Sequence, residues 1–132
     1  MSHNGFAQWL RIQADEEIEH AMKIYDFIHE TGEVVDLMPI DKPAVKGKTI
    51  LDFFKQAYEH EQLVTASINT IMDAAVKEKD YNTQIFLQWF VTEQIEEEDQ
   101  TSEIVDLLTF AKNDPAAILM IEKKLGKRED DD

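Results

Sequence analysis

The chain contains no cysteine, which removes disulfides, thiolate metal sites and cysteine nucleophiles from consideration. Glycine and proline are scarce, at 4 and 3 of 132 residues, so a fold made of many short strands and tight turns is not expected. Positive charge is also in short supply. The 13 Lys and Arg face 28 Asp and Glu, and the resulting net charge of −15 repels phosphate backbones and anionic membranes while gathering cations. No long charge-free apolar run or signal-like segment occurs, so the expected location is the cytoplasm. Gly-rich phosphate loops, Ser-His-Asp spacings and aromatic-basic interleaving are missing as well, which leaves hydrolase, kinase and nucleic-acid readings without a motif.

What is present is 43% hydrophobic residues, with Glu, Ala, Ile, Leu and Lys filling long stretches. That composition predicts an all-α chain with enough apolar material for one core. A first helix is expected from about Phe6 to Glu30, with Asn4 as N-cap and Gly32 at its end. Residues Thr31 to Lys48, with Pro39, Pro43 and Gly47, have no helical period and read as a long crossover between parallel neighbours. Thr49-x-x-Asp52 predicts a capping-box start to a second helix reaching about Lys77. Asp80 caps a third, about Asn82 to Lys112, expected to return antiparallel. Asp114-Pro115 opens a short fourth helix ending near Leu125. The expected division is one domain, residues 1–126, followed by a charged, solvated tail, 127–132.

Three of these helices carry acid where the apolar period asks for hydrocarbon. Leu10, Ala14, Glu17, Ala21, Ile24 and Ile28 recur at steps of four and three and predict an inward stripe, with His20 three residues beyond Glu17 on nearly the same side. Phe54, Ala57, Glu61, Val64, Ile68, Ile71 and Ala75 form a second stripe. Phe86, Phe90, Glu93, Glu97, Gln100, Ile104 and Leu107 form a third. A buried carboxylate costs several kcal/mol unless it is paired, protonated or bound to a cation. Carboxylate oxygens plus one imidazole suit iron or manganese, and four acids gathered in low dielectric call for two or more positive charges, which a di-metal centre supplies. The alternative is that these glutamates sit at the stripe edges and reach water. Glu16 and Glu96 flank the candidate centre and form either a further cation position or plain surface. His60 points about 100° away from Glu61 and is expected to be partly exposed. His3 and His29 are expected at the surface, and Trp89, Tyr25 and Tyr58 as core aromatics.

From Asn4 to about Gly126 the chain resembles the bacterial and archaeal non-haem ferritins. The resemblance is carried by Phe6-Ala7-Gln8-Trp9-Leu10, Gln13-Ala14-Asp15-Glu16-Glu17-Ile18-Glu19-His20-Ala21, Tyr58-Glu59-His60-Glu61, Asp80-Tyr81-Asn82-Thr83, and the run Phe86-Leu87-Gln88-Trp89-Phe90-Val91-Thr92-Glu93-Gln94-Ile95-Glu96-Glu97-Glu98. It implies a ferritin-like helical bundle, oxidation of Fe(II) by oxygen or peroxide at a di-iron carboxylate site, and storage of the ferric product inside a subunit shell. By position it implies Glu17 as the bridging carboxylate, His20 as the imidazole ligand of the first iron, and Glu61 and Glu97 as ligands of the second. It also implies Gln94 beside the site, and Glu16, Glu93, Glu96 and Glu97 at a third iron position. The second ligand motif reads Gln94-x-x-Glu97 rather than Glu-x-x-His, which favours the non-haem branch over bacterioferritin.

The same resemblance marks a departure. In the family an earlier helix supplies the first Glu of the site, a Tyr and about a quarter of the bundle, and this sequence begins where that helix should already have ended. The expectation is therefore three long helices, with the vacant groove covered by another chain in a homo-oligomer, or a shortened or wrongly started sequence. The leading functional expectation is a cytoplasmic ferroxidase and iron-storage protein. The alternatives are a catalytically weak or inactive iron-binding subunit, and a metal-free helical interaction protein.

Overall fold

The computed structural model describes residues 2–128. It contains four α-helices, α1 (Asn4–Glu30), α2 (Ile50–Lys77), α3 (Tyr81–Ala111) and α4 (Pro115–Leu125), and no strand among the described residues. All four were expected, within two residues at each end. No helix among the described residues is long and apolar enough to cross a membrane. The chain divides into two compact units, one formed by Pro43–Lys112 and the other by Met1–Lys42 with Asn113–Asp132.

In the first unit α2 starts on the capping box that the sequence predicts. The Thr49 hydroxyl accepts from the Asp52 N–H at 3.1 Å, and the Asp52 carboxylate accepts from the Thr49 N–H at 3.0 Å. After Lys77 only Glu78, Lys79 and Asp80 separate α2 from α3, and Asp80 caps the new helix by accepting from the Thr83 N–H at 3.1 Å. So short a connection makes the helices antiparallel neighbours. Gln84 reaches back to the Ala75 carbonyl near the turn, and Gln94 reaches Glu61 farther along. Between the two helices Ile68, Leu87 and Phe90 are buried, with Val64, Met72 and Phe86 packed against them. Each such side chain contributes roughly 1.5–3 kcal/mol on burial.

The α2 stripe is largely as expected, with Phe54, Glu61, Ile68 and Ala75 buried, although Ile71 is exposed. The α3 stripe differs. Its buried positions are Leu87, Phe90, Gln94, Glu97, Thr101, Ile104, Leu108 and Ala111, an unbroken alternation of three and four. Glu93, Gln100 and Leu107, placed on the stripe by hydrophobicity, are only partly buried. Polar Gln94 and Thr101 take core positions because their hydrogen-bonding groups find partners there, and a hydrophobic period passes over them.

In the second unit α1 departs from two expectations. Asn4 is already helical, His3 stands at the N-cap, and no side chain next to it in sequence caps the helix. The carboxylate of Glu122 on α4 does so instead, accepting from the Gly5 N–H at 3.1 Å. The buried face is also different. Phe6, Trp9, Ile12 and Gln13 are buried, whereas Leu10, Ala14, Ala21 and Ile24 of the expected stripe are exposed. Gly5, Trp9, Gln13 and Glu16 are among the residues that α4 and the turn after it contact, so that edge of the helix is a covered one.

Gly32, with φ +84°, stands just past the end of α1, and residues 31–49 carry no helix, as expected. Val34, Leu37, Met38, Ile40 and Val45 are exposed along that crossover. α4 opens on Asp114, whose side chain accepts from the Ala117 N–H at 3.1 Å, with Pro115 in its first turn. Of the expected solvated tail, Arg128 is instead half-buried against α1, and residues 129–132 lie outside the described residues.

Candidate metal centre

The α2–α3 unit brings three of the sequence-selected residues into one buried patch. Glu61 projects from the middle of α2, and Gln94 and Glu97 project from one edge of α3, three residues apart and hence on nearly the same side. Each of the three is only 3% exposed. The Gln94 side-chain amide donates to the Glu61 backbone carbonyl at 3.2 Å, to Glu61 Oε2 at 3.3 Å and to Thr65 Oγ1 at 3.2 Å. One amide thus fixes the orientation of the Glu61 carboxylate and the α2–α3 register together. One turn further along, the Thr101 hydroxyl donates to the Glu97 carbonyl at 2.7 Å, which satisfies a fully buried hydroxyl locally.

Beside this patch Glu93 offers a carboxylate oxygen within 4.8 Å of one from Glu97. Glu93 is partly buried one turn before Glu97, whereas Glu96 is exposed. His60 is exposed, as expected of a residue turned away from Glu61. Trp89 is 39% exposed and meets Phe90 edge to face with centroids 4.9 Å apart, so it is a half-open wall and not the core aromatic expected. Gln94 also borders a cavity of about 200 Å³ between α2 and α3, together with Thr65, Asn69, Ile95 and Glu98.

The α1–α4 unit holds the other candidates. His20 Nδ1 lies 3.6 Å from Glu17 Oε2, and the imidazole is the more deeply set of the two, with 13% of its side chain exposed against 36%. Glu16, on the adjacent edge of α1, accepts from Arg128 Nη2. His29 is exposed and packs edge-on against Tyr25, which like Tyr58 is partly buried. His3 pairs with Glu122 at 3.3 Å, so it is an end-of-helix partner and not a free surface residue. Sequence reasoning missed Thr65, Glu122 and Arg128. Thr65 is one turn beyond Glu61 on α2, a spacing that flags it as a second polar group on that face. For Glu122 and Arg128, whose partners lie more than a hundred residues away, no local signal exists.

As a donor set, hard carboxylate oxygens, one amide and one imidazole suit iron or manganese in preference to soft-ligand metals. Deeply buried carboxylates form an environment in which a multivalent cation is favoured.

Comparison with known proteins points the same way. The family model described as Ferritin, a ferritin-like domain, matches residues 1–111. A Haemophilus influenzae protein named a probable bacterial non-heme ferritin-like protein is 38% identical over 122 residues, 92% of this chain and 74% of that one. The bacterial non-heme ferritin of Escherichia coli O6:H1 is 36% identical over the same shares. Among solved structures, an open pore ferritin from the hyperthermophilic archaeon Archaeoglobus fulgidus matches with a TM-score of 0.95 at 40% identity, covering 97% of this chain and 79% of that chain.

Proposed function

We propose, since the chain belongs to the ferritin family, that it serves iron storage by oxidising Fe(II) to Fe(III) at a di-iron carboxylate site. The observation that carries this reading is the pair of buried carboxylates, Glu61 and Glu97, on facing helices, with the Gln94 amide hydrogen-bonded to Glu61. Iron is the substrate. Glu17 bridges the two ions, His20 binds the first, Glu61 and Glu97 bind the second, and Gln94 holds the Glu61 carboxylate in its binding orientation. Glu16, Glu93, Glu96 and Glu97 provide a third position for incoming iron. Anionic oxygen ligands favour Fe(III) over Fe(II), so the site itself drives the loss of an electron from each ion. The two electrons from an iron pair pass to dioxygen, which leaves as peroxide, or to peroxide, which leaves as water. The net charge of −15 raises the local concentration of the cationic substrate.

The working unit of this reading is a single domain, residues 1–126, in a cytoplasmic homo-oligomer. Exposed Leu10, Ile18, Met22 and Ile24 on α1 support a further chain covering that helix.

Addition of Fe(II) under air tests the proposal. The expected outcome is rapid development of the ferric colour, with more iron retained than the sites alone can hold. Glu17→Ala and Glu61→Ala should each slow the initial rate by at least about 10–100-fold, the range already typical of partners outside the ligand shell. Unchanged turnover in both variants removes the site assignment. Binding without turnover identifies an iron-binding structural subunit, and no binding identifies a metal-free helical protein. Size-exclusion chromatography separates a shell from a dimer.

A further inference from the structure

Arg128 sits in a seat built from one edge of α1. Its guanidinium lies 4.8 Å from the centre of the Trp9 ring, Nη1 donates to Gln13 Oε1 at 3.0 Å, and Nη2 donates to Glu16 Oε2 at 2.5 Å. Trp9, Gln13 and Glu16 follow one another at steps of four and three, so a single helix edge presents all three. Trp9 and Gln13 are buried, and 17% of the Arg128 side chain is exposed. The backbone is held as well, since the Arg128 N–H donates to the Leu125 carbonyl at 3.2 Å directly after α4. A planar cation stacked on a ring, with two of its N–H groups directed at two acceptors, exploits the fork geometry of arginine, which the compact ammonium of lysine cannot reproduce.

Asp15, Glu16, Glu17 and Glu19 are close in sequence, yet it is Glu16 that this cation binds. A carboxylate already neutralised by a resident guanidinium attracts a metal ion less strongly, and it offers both oxygens to the ion only when the guanidinium leaves. We propose that Arg128 is a built-in counter-cation that guards Glu16, so that the chain fills its two-iron centre first and admits a further ion at Glu16 only on release of Arg128. This rests on the reading of Glu16 as part of an additional iron position.

The test uses Zn(II), which is redox-inert, and equilibrium dialysis against the full chain, so the readout is occupancy and not turnover. Arg128→Ala should bind an additional ion per chain at a concentration about tenfold or more below that at which the wild type does so, because a charge-assisted competitor has been removed. Adding Glu16→Gln to Arg128→Ala should abolish that gain. Titrations of wild type and Arg128→Ala that superimpose overturn the proposal, as does a gain that survives Glu16→Gln. Should Arg128→Ala fail to fold, two further measurements decide. Arg128→Lys keeps the charge without the fork and should bind the additional ion more tightly than wild type. In a Trp89→Phe background the Trp9 emission should change as that ion binds, because the cation leaves the ring face. An unchanged affinity together with a constant emission overturns the proposal. A wild type without tight Zn(II) binding speaks against the two-iron reading alone, since the guard is judged from the Glu16-dependent difference between variants.

Discussion

Where α2 meets α3, Ile68, Leu87 and Phe90 make an apolar seam and Gln94 ties it with hydrogen bonds at the level of Glu61. Where α1 meets α4, polar and backbone-close contacts stand out. Glu122 binds the Gly5 N–H and His3, Arg128 binds Gln13 and Glu16, and Gly5 and Gly126 let the two backbones approach. The first junction is strong through area and tolerant in detail, since many atoms share it. The second includes a few polar groups in fixed places, where losing one partner leaves another unsatisfied. Both junctions carry residues of the proposed iron chemistry, but in different ways. The seam buries Glu61 and Glu97, whereas the polar junction sets the availability of Glu16.

The sharpest way to break this contrast is to damage each junction by one residue. Phe90→Ala should cost about 3–5 kcal/mol, read as a loss of stability in urea denaturation, because it empties a ring-sized volume from the middle of the seam. Gly5→Ala should cost less, about 1–3 kcal/mol, although it adds only a methyl group. A Cβ on Gly5 would overlap the backbone carbonyl oxygen of Glu122, and backbone yields less readily than a side chain. Its effect should be local, with amide exchange rising first at the start of α1 and in α4 and the α2–α3 seam still protected. A Phe90→Ala variant of near-wild-type stability, or a Gly5→Ala variant with unaltered exchange at Gly5 and in α4, would mean that the two junctions are not built as described.

The same contrast decides what was legible in the sequence. Helix limits were readable almost to the residue where the signal is local. The Thr49–Asp52 box, Asp80, and Asp114 with Pro115 each cap within three or four residues of where they stand. The α2 face was readable because apolar spacing and burial coincide there. On α3 the period alone favoured Glu93 and Gln100 over Gln94 and Thr101, because hydrophobicity cannot register that a buried amide has three acceptors within reach. On α1 two adjacent edges have helical spacing, and the choice between them is made by α4, over a hundred residues away. Of the candidate centre, the residue types and their mid-helix placement were legible. The Arg128 contact to Glu16 was not, because no sequence rule links positions so distant.

The smallest expected effect concerns pH and lies wholly in the α2–α3 unit. Asp52 accepts from the backbone N–H groups of Lys48 and Thr49, both at 3.0 Å, and these bonds, Lys48 first, hold its carboxyl below the usual aspartate value of 3.8. Gly47 makes room for this, since at φ +100° a side chain there would collide with Asp52. With the folded pKa depressed, the contribution of the ionised carboxylate is fully present above 3.8 and is lost as pH falls through the lower, folded value. The same holds for Asp80 at the start of α3, where the Thr83 hydroxyl is the leading cause. Acid should therefore fray the first turn of α2, where the capping bonds to Asp52 are lost as its carboxylate is protonated. Protection of the Asp52 and Phe53 amides, corrected for intrinsic exchange, should fall as pH is lowered below 3.8 in the wild type and lose that dependence in Asp52→Asn. An identical pH profile in both chains would assign the acid sensitivity of this cap to some group other than Asp52.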